Sequence, residues 1–379
     1  MIYDDHAYCF PDQRGDGGFA DPNEFRRHLQ LGMAGHFQSA WRVEDRSPAD
    51  SGGIVDLSRG LTFDSLRDAD FRPAGHGRFE WTVEGVDYAK QVMPPSVIDM
   101  TYTAENLVAE MDYAGVDMAL LHRTPYLGIS NEFIADSVRR FPSRLQGLAH
   151  VEEWLVQPEP AASIEKVGRA IGDLGLVGLQ FLTNYPALYG QMEPWDSPGF
   201  QPFWDAVAGL DVPVFFTLGG WVGKAPASDA ARLEAYIEEL RMVRRWMERY
   251  PDVAVVLTHG FSWRMFLDGD KLNPPDEVFA AAPVDNPNFY LQVMFPISLG
   301  KEWDYPMPQV RPTLEELVRR IGADRLIWGT DIPMVMRHFT YRQSLDFIRL
   351  YCDFLTTDEM DLFLGGNMVR LAGPPLENR

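Results

Sequence analysis

A chain of 379 residues, 23% charged and 46% hydrophobic, has the composition of a globular protein with apolar material for a large core. Its formal net charge of −21 disfavours nucleic acid and anionic lipid as partners, yet leaves an anionic small molecule open, because a few local arginines can dominate one pocket. Cys9 and Cys352 are the only cysteines, which excludes a disulfide framework or a Cys-type zinc site and suits a reducing cytoplasm. No secretory leader is expected at the first residues, and no run of about 18 apolar residues is present to span a membrane.

In chain order, MIYDDH (1–6) predicts a first strand. Residues 10–99 follow, rich in Gly, Pro, Asp and Arg but interspersed with Phe19, Phe25, Trp41, Phe71, Trp81 and Tyr88. A solvated linker carries fewer aromatics, so this segment is expected to fold over the catalytic mouth as a lid or to serve as a dimer contact. From residue 100 one grammar repeats: an amphipathic helix, a short apolar run, a polar loop. The apolar runs are VDMALLH (116–122), RLQGLAHV (144–151), VGLQFL (177–182), VPVFFTL (212–218), VAVVLTHG (253–260), FYLQVMF (289–295) and RLIWGTD (325–331). They are near-continuous, as strands buried on both faces are. Helices are predicted over 103–115, 231–250, 312–322 and 356–366, the last opening with a Thr356–Glu359 capping box. Eight strands alternating with helices predict an α/β fold, a (β/α)8 TIM barrel formed by residues 1–379 as one domain with a long excursion after strand 1.

Barrel enzymes carry their chemistry where strands end and the following loops begin. His6, His122, His150 and His259 each close a predicted strand, Asp331 ends the eighth, and His338 lies in the loop after it. His6 and Asp331 come from strands that are neighbours in a closed barrel. An imidazole nitrogen and a carboxylate oxygen suit zinc or manganese, and a buried His–Asp hydrogen bond is the alternative. His259 is the candidate general acid/base, since imidazole titrates near neutrality. Arg264 and Arg337 are candidates to grip a substrate carboxylate, or else surface ion pairs. Trp263, Trp328, Tyr126 and Tyr185 are candidates for an aromatic pocket, and the loop 183–190 for shaping it.

These residues resemble a known family, the metal-dependent amidohydrolase-related proteins that include aminocarboxymuconate-semialdehyde decarboxylase, resorcylate and carboxyvanillate decarboxylases and oxalomesaconate hydratase. IWGTDIP is similar to its strand-8 phrase G-S/T-D-x-P, VVLTHG to its strand-6 histidine segment, GGNMVRLAG (365–373) to its closing helix, and MDYAGVDMALL to the stretch entering strand 2. The resemblance implies His6 and Asp331 as metal ligands, and His259 and Asp331 as catalytic residues. It also implies two departures: Tyr8 stands where the family has a second strand-1 histidine, and Thr217 where it has the strand-5 histidine. Tyr8, His122, His150, Thr217, Arg264, Arg337 and His338 are the expected substrate-binding residues.

The expected function is that of a lyase, decarboxylating or hydrating a small aromatic or enol-type carboxylic acid with a divalent zinc or manganese ion and no organic cofactor. Two alternatives stand beside it: a hydrolase of a lactone, ester or amide, and a metal-free barrel that runs acid/base chemistry or merely binds a ligand. The expected partners are a small-molecule substrate and a second copy of the chain, with no nucleic acid and no membrane.

Overall fold

The protein is described by a computed structural model covering residues 1–219, 222, 224 and 226–375. Eight parallel strands carry the site. Strand β1 (Tyr3–Ala7) pairs with β2 (Met118–Leu121), and β2 with β3 (Leu145–Gly147). Strands β4 (Leu179–Leu182), β5 (Val214–Thr217), β6 (Val255–Leu257), β7 (Phe289–Val293) and β8 (Leu326–Trp328) form a second parallel sheet in that order. Single parallel bridges, Ala149 with Leu179 and Ala7 with Ile332, join the two sheets at both seams. The second seam brings the ends of β1 and β8 together through the Tyr8 N–H on the Ile332 carbonyl (2.9 Å) and the Asp331 N–H on the His6 carbonyl (2.8 Å).

Each of the seven predicted apolar runs contains one of these strands, and the predicted first strand, 1–6, overlaps β1 up to His6. Tyr3, Met118, Leu120, Leu148, Phe215, Val256 and Ile327, drawn from strands all round the ring, form one buried cluster with Met368. Residues contributed from every side can meet only on the axis, so this is the filled barrel interior. The alternate residues, such as Ala119, Leu121, Leu179, Phe181 and Phe216, belong to the larger core beneath the helices.

The intervening helices follow their local signals. One helix, Ala104–Ala114, is capped by the Thr103 side chain and stopped by Gly115 in the left-handed region (φ 80°). Others run Asp229–Arg249 and Arg311–Ile321. The predicted helix over 356–366 is shorter, Thr357–Asp361, and continues through a wide turn at Leu362–Gly366 into Asn367–Ala372. Asn367 explains the GGN phrase, because its amide donates to the carbonyls of Ala323 and Leu326 (both 2.8 Å) and ties the closing helix to the start of β8.

Within residues 10–99 the structure is more regular than the composition suggests. A helix, Pro22–Gly35, is capped by Asp21, and five short strands form an antiparallel sheet around the hairpin Arg78–Val83 and Val86–Gln91. Its two-residue turn, Glu84–Gly85, has both φ values positive (50° and 78°), the geometry that matches strand twist. Phe79 and Trp81 alternate inward, and with Phe19, Phe25 and Phe71 they join the main core.

Candidate functional site

His6 lies at the end of β1 and is completely buried. Its Nδ1 is 3.1 Å from Gln292 Oε1, and the same oxygen accepts the His259 backbone N–H at 2.7 Å. A backbone nitrogen can only donate, so the Gln292 atom is an acceptor and His6 Nδ1 carries the proton. Nε2 is then the bare nitrogen. It takes the Tyr8 hydroxyl at 2.9 Å and lies 3.4 Å from Asp331 Oδ1. Burial, and then the neighbouring His122 and His259, hold the His6 imidazole well below its usual range, so it stays neutral and able to ligate.

His259 and Asp331 share a backbone feature. Both are non-glycine residues in the left-handed region, with φ of 65° and 67°, a conformation that stores strain and clusters at functional sites. It turns both side chains toward the barrel axis, and His259 Nε2 comes within 3.9 Å of Asp331 Oδ1. The strand-8 phrase makes this geometry. Thr330 is fixed to Asp4 through its hydroxyl (2.6 Å) and its N–H (3.0 Å). A Cβ at Gly329 would fall 2.1 Å from Asp5 Oδ1, so only glycine passes there.

His6, His259 and Asp331 together offer three ligand atoms within 4.8 Å of one another. Two donors about 2.1 Å from a tetrahedral ion stand about 3.4 Å apart, and the His6–Asp331 pair already has that separation. The residues present therefore fit a divalent ion, with Asp331 and the bare His6 nitrogen as its base.

A cavity of about 1190 Å³ opens above this group, larger than most small-molecule sites. Tyr8, His259 and Asp331 line its floor, Tyr126, Trp263, Arg264 and Arg337 its wall, and His36, Phe37 and Val92 reach it from the excursion. Arg337 Nη1 binds the Val92 carbonyl and lies 3.2 Å from His36 Nε2, while its Nε has no partner. Arg264 is held by Glu302 (2.7 Å) and the Ser298 carbonyl (3.3 Å), with its guanidinium 4.7 Å from the Phe37 ring centre.

Four predicted substrate contacts do not appear on this lining. His122 lies under the floor, stacked on His6 at 3.7 Å, with Nε2 donating to the Asp5 carbonyl (2.8 Å); burial lowers its pKa to about 3. His150 is sealed in the wall 3.9 Å from Glu153, and burial holds it well below the usual imidazole range. The Thr217 hydroxyl accepts the Gln180 amide at 3.3 Å, which turns it along the strand layer. His338 packs against Gln38 (3.3 Å), outside the lining. Of the predicted aromatics, Trp328 is a core residue whose indole N–H binds the Ser344 carbonyl (3.1 Å), and Tyr185 stacks on His28.

Gln292, which orients both site histidines, was missed. Its signal was present, a lone amide inside the apolar run FYLQVMF, and so was that of Arg123, which directly follows the strand-2 histidine.

A parallel eight-strand barrel with a His, His, Asp group at the strand ends is a frame for hydrolytic and lyase chemistry alike. The amidohydrolase family model matches residues 68–372, and the chain belongs to that family. Among curated relatives it is similar to 2-amino-3-carboxymuconate-6-semialdehyde decarboxylase of Dictyostelium discoideum, 25% identical over 64% of this chain and 65% of the relative. It is also similar to gamma-resorcylate decarboxylase of a Polaromonas species, 24% identical over 54% of this chain and 64% of the relative. The chain thus spans just under two thirds of the length of these relatives. Two solved structures share the fold. One is 4-oxalomesaconate hydratase of Rhodopseudomonas palustris (TM-score 0.52, 13% identity, 98% of this chain and 95% of that one). The other is 5-carboxyvanillate decarboxylase of Sphingomonas paucimobilis (TM-score 0.50, 19% identity, 72% and 84%).

Proposed function

We propose that the protein is a lyase that decarboxylates a small hydroxylated aromatic or enol-type carboxylic acid. The observation that carries this reading is the His6–His259–Asp331 group at the floor of a cavity whose wall holds the half-buried guanidinium of Arg337. The names of the similar decarboxylases support the same class of substrate.

His6 Nε2 and Asp331 Oδ1 would hold a divalent zinc or manganese ion, with Tyr8 displaced from Nε2. Such an ion supplies Lewis acidity toward a substrate oxygen. Gln292 keeps the proton on His6 Nδ1 and so leaves Nε2 bare. His259, whose side chain is 39% exposed toward the cavity, gives its proton to the carbon that bears the carboxylate. The carbon–carbon bond then breaks, carbon dioxide leaves, and the bond's electron pair re-forms the double bond that protonation had used, restoring the aromatic ring or enol. Arg337, stacked with Arg264 about Phe37, orients the acid, and Trp263 and Tyr126 flank its ring.

The contacts of His36, Phe37 and Val92 with the cavity support the excursion as a lid. Exposed Val43, Leu57 and Ile98 on the excursion support a homodimer, and two buried free cysteines support a cytoplasmic location.

Carbon dioxide release tests the reading directly. Incubation with 2,6-dihydroxybenzoate, 5-carboxyvanillate and related acids, with manganese or zinc added after chelation, is expected to release it from at least one acid in a metal-dependent way. Turnover of lactones or esters with no acid decarboxylated would establish the hydrolase reading instead. A metal-free acid/base barrel is the second reading, favoured by the Tyr8 hydroxyl that sits on the ligating lone pair of His6; full activity after chelation would establish it.

A further inference from the structure

The strand-2 rim of the barrel mouth carries a charge that no side chain in the described structure neutralises. Arg123 follows His122, and its backbone N–H is fixed by Gln180 Oε1 at 2.6 Å. Its side chain is 1% exposed. Among the described residues its guanidinium makes no ion pair, and its Nε and Nη1 are sealed from solvent with no acceptor in reach. Beside Nη2 lies Gly128, with φ of 115° and with a carbonyl, that of Gly17, 2.8 Å from where a Cβ would stand. No side chain can fill that space.

A buried guanidinium without an acceptor is strongly unfavourable, and proteins keep such groups where an anion completes them. Arg264 and Arg337, the arginines of the mouth described above, already have charged partners or neighbours. Glu302 neutralises Arg264, and the Asp331 charge supports Arg337. Arg123 lacks a carboxylate, and it stands one residue past His122, whose ring stacks on His6 at 3.7 Å, and three residues before Tyr126, which lines the cavity. The vacant cation therefore stands at the strand-2 end of the mouth, on the loop whose Tyr126 lines the cavity.

We propose that Arg123 is the receptor for a substrate carboxylate, which reaches it from the cavity past Tyr126 and accepts paired N–H bonds from the guanidinium. The proposal rests on the carboxylic-acid reading above and names the residue that selects the acid. For a monocarboxylic acid the group gripped is the one that leaves; for a dicarboxylic acid Arg123 and Arg337 hold opposite ends.

Binding of benzoate and of its neutral isostere benzamide to the chelated protein, followed by titration calorimetry, separates the possibilities. Wild type should prefer benzoate. Arg123→Met should lose about 10- to 100-fold in benzoate affinity with benzamide unchanged, and Arg123→Lys should recover part of the loss. Retention of the preference in Arg123→Met and its loss in Arg337→Met would overturn this assignment while leaving the carboxylic-acid reading intact. Absence of any preference in the wild type would overturn both. If Arg123→Met does not fold, a crystal of wild type soaked in benzoate decides: a carboxylate on Arg123 supports the proposal, and one held only by Arg337 or Arg264 overturns it.

Discussion

The two halves of the barrel mouth differ in how their candidate reacting and recognition groups are joined. On the side of β1, β6, β7 and β8, His6, Tyr8, His259, Asp331 and Gln292 are joined by short contacts and one amide oxygen serves two histidines, although Asp5, Thr258 Oγ1, Gln292 Nε2 and Arg337 Nε lack partners there. On the side of β2 to β4, Arg123 Nε and Nη1, both ring nitrogens of His150 and Glu153 Oε2 are buried without partners. The first half is preorganised before any ligand arrives, which is what a reacting centre needs. The second is completed from outside, which is what a recognition surface needs. Burying a charge without a partner destabilises a fold, so Arg123 is a position where stability has been given up.

The largest test falls on the preorganised half. His259→Asn and Asp331→Asn should each lower turnover of the accepted acid at least about 100-fold with unchanged circular dichroism. Zinc affinity then separates the two roles. Asp331→Asn should bind zinc more weakly, while His259→Asn should bind it as wild type does if His259 moves the proton. Full activity in either variant would place the chemistry elsewhere.

Gln292→Leu sharpens the comparison next. Without the amide oxygen, His6 Nδ1 loses its acceptor and the ring is free to put its proton on Nε2, the ligating atom. Partners of this kind are worth about 10- to 100-fold in metal affinity. Zinc titration should show that loss, and nitrogen shifts of the imidazole in the metal-free protein should show the tautomer change. An unchanged tautomer would mean that Tyr8 alone orients the ring.

How far this was readable from the amino acids differs between the halves as well. The eight strands stood out because residues buried on both faces make unbroken apolar runs, and His6, His259 and Asp331 stood out because they close such runs. Gln292 and Arg123 were visible as letters, but a polar residue within or just after a strand says nothing of what it faces. The Arg264–Glu302 pair joins two loops whose meeting depends on barrel closure, and local pattern does not encode that. In the excursion, the alternation in RFEWTV and the turn at Glu84–Gly85 were genuine strand signals, masked by the surrounding Gly and Pro.

A stability measurement probes the half that holds Arg123. Arg123→Met keeps most of the buried stem and removes the charge. In the absence of carboxylates it should raise stability by about 1–2 kcal/mol, read from the urea midpoint, although the same change weakens carboxylate binding. A loss of stability would show that the guanidinium is satisfied in the free protein and would erase the contrast between the halves.

The smallest effect lies at the outer edge of the same half, at His28. Its ring is packed among Phe19, Phe63, Trp154 and Tyr185, at centroid distances of 4.9 to 5.6 Å. The Tyr189 hydroxyl gives its one proton to Glu24 (2.7 Å), so the 2.8 Å contact with His28 Nε2 must carry an imidazole proton. Burial first, and then Arg27, lower its pKa from 6.5 to about 3; His150 is the other titratable ring that feels it. With the folded value depressed, the unfolded chain binds more protons between these limits. The contribution of His28 to stability is therefore complete above about pH 6.5 and is lost as the pH falls toward 3, by up to about 1.4 kcal/mol per pH unit. His28→Phe fills the aromatic cage without a titrating group. It should be less stable than wild type at pH 7, where about 1 kcal/mol of hydrogen bonding is lost, and should approach or overtake wild type by pH 5. Urea midpoints at pH 7, 6 and 5 check this, and parallel profiles for the two proteins would show that His28 is not held neutral by its surroundings.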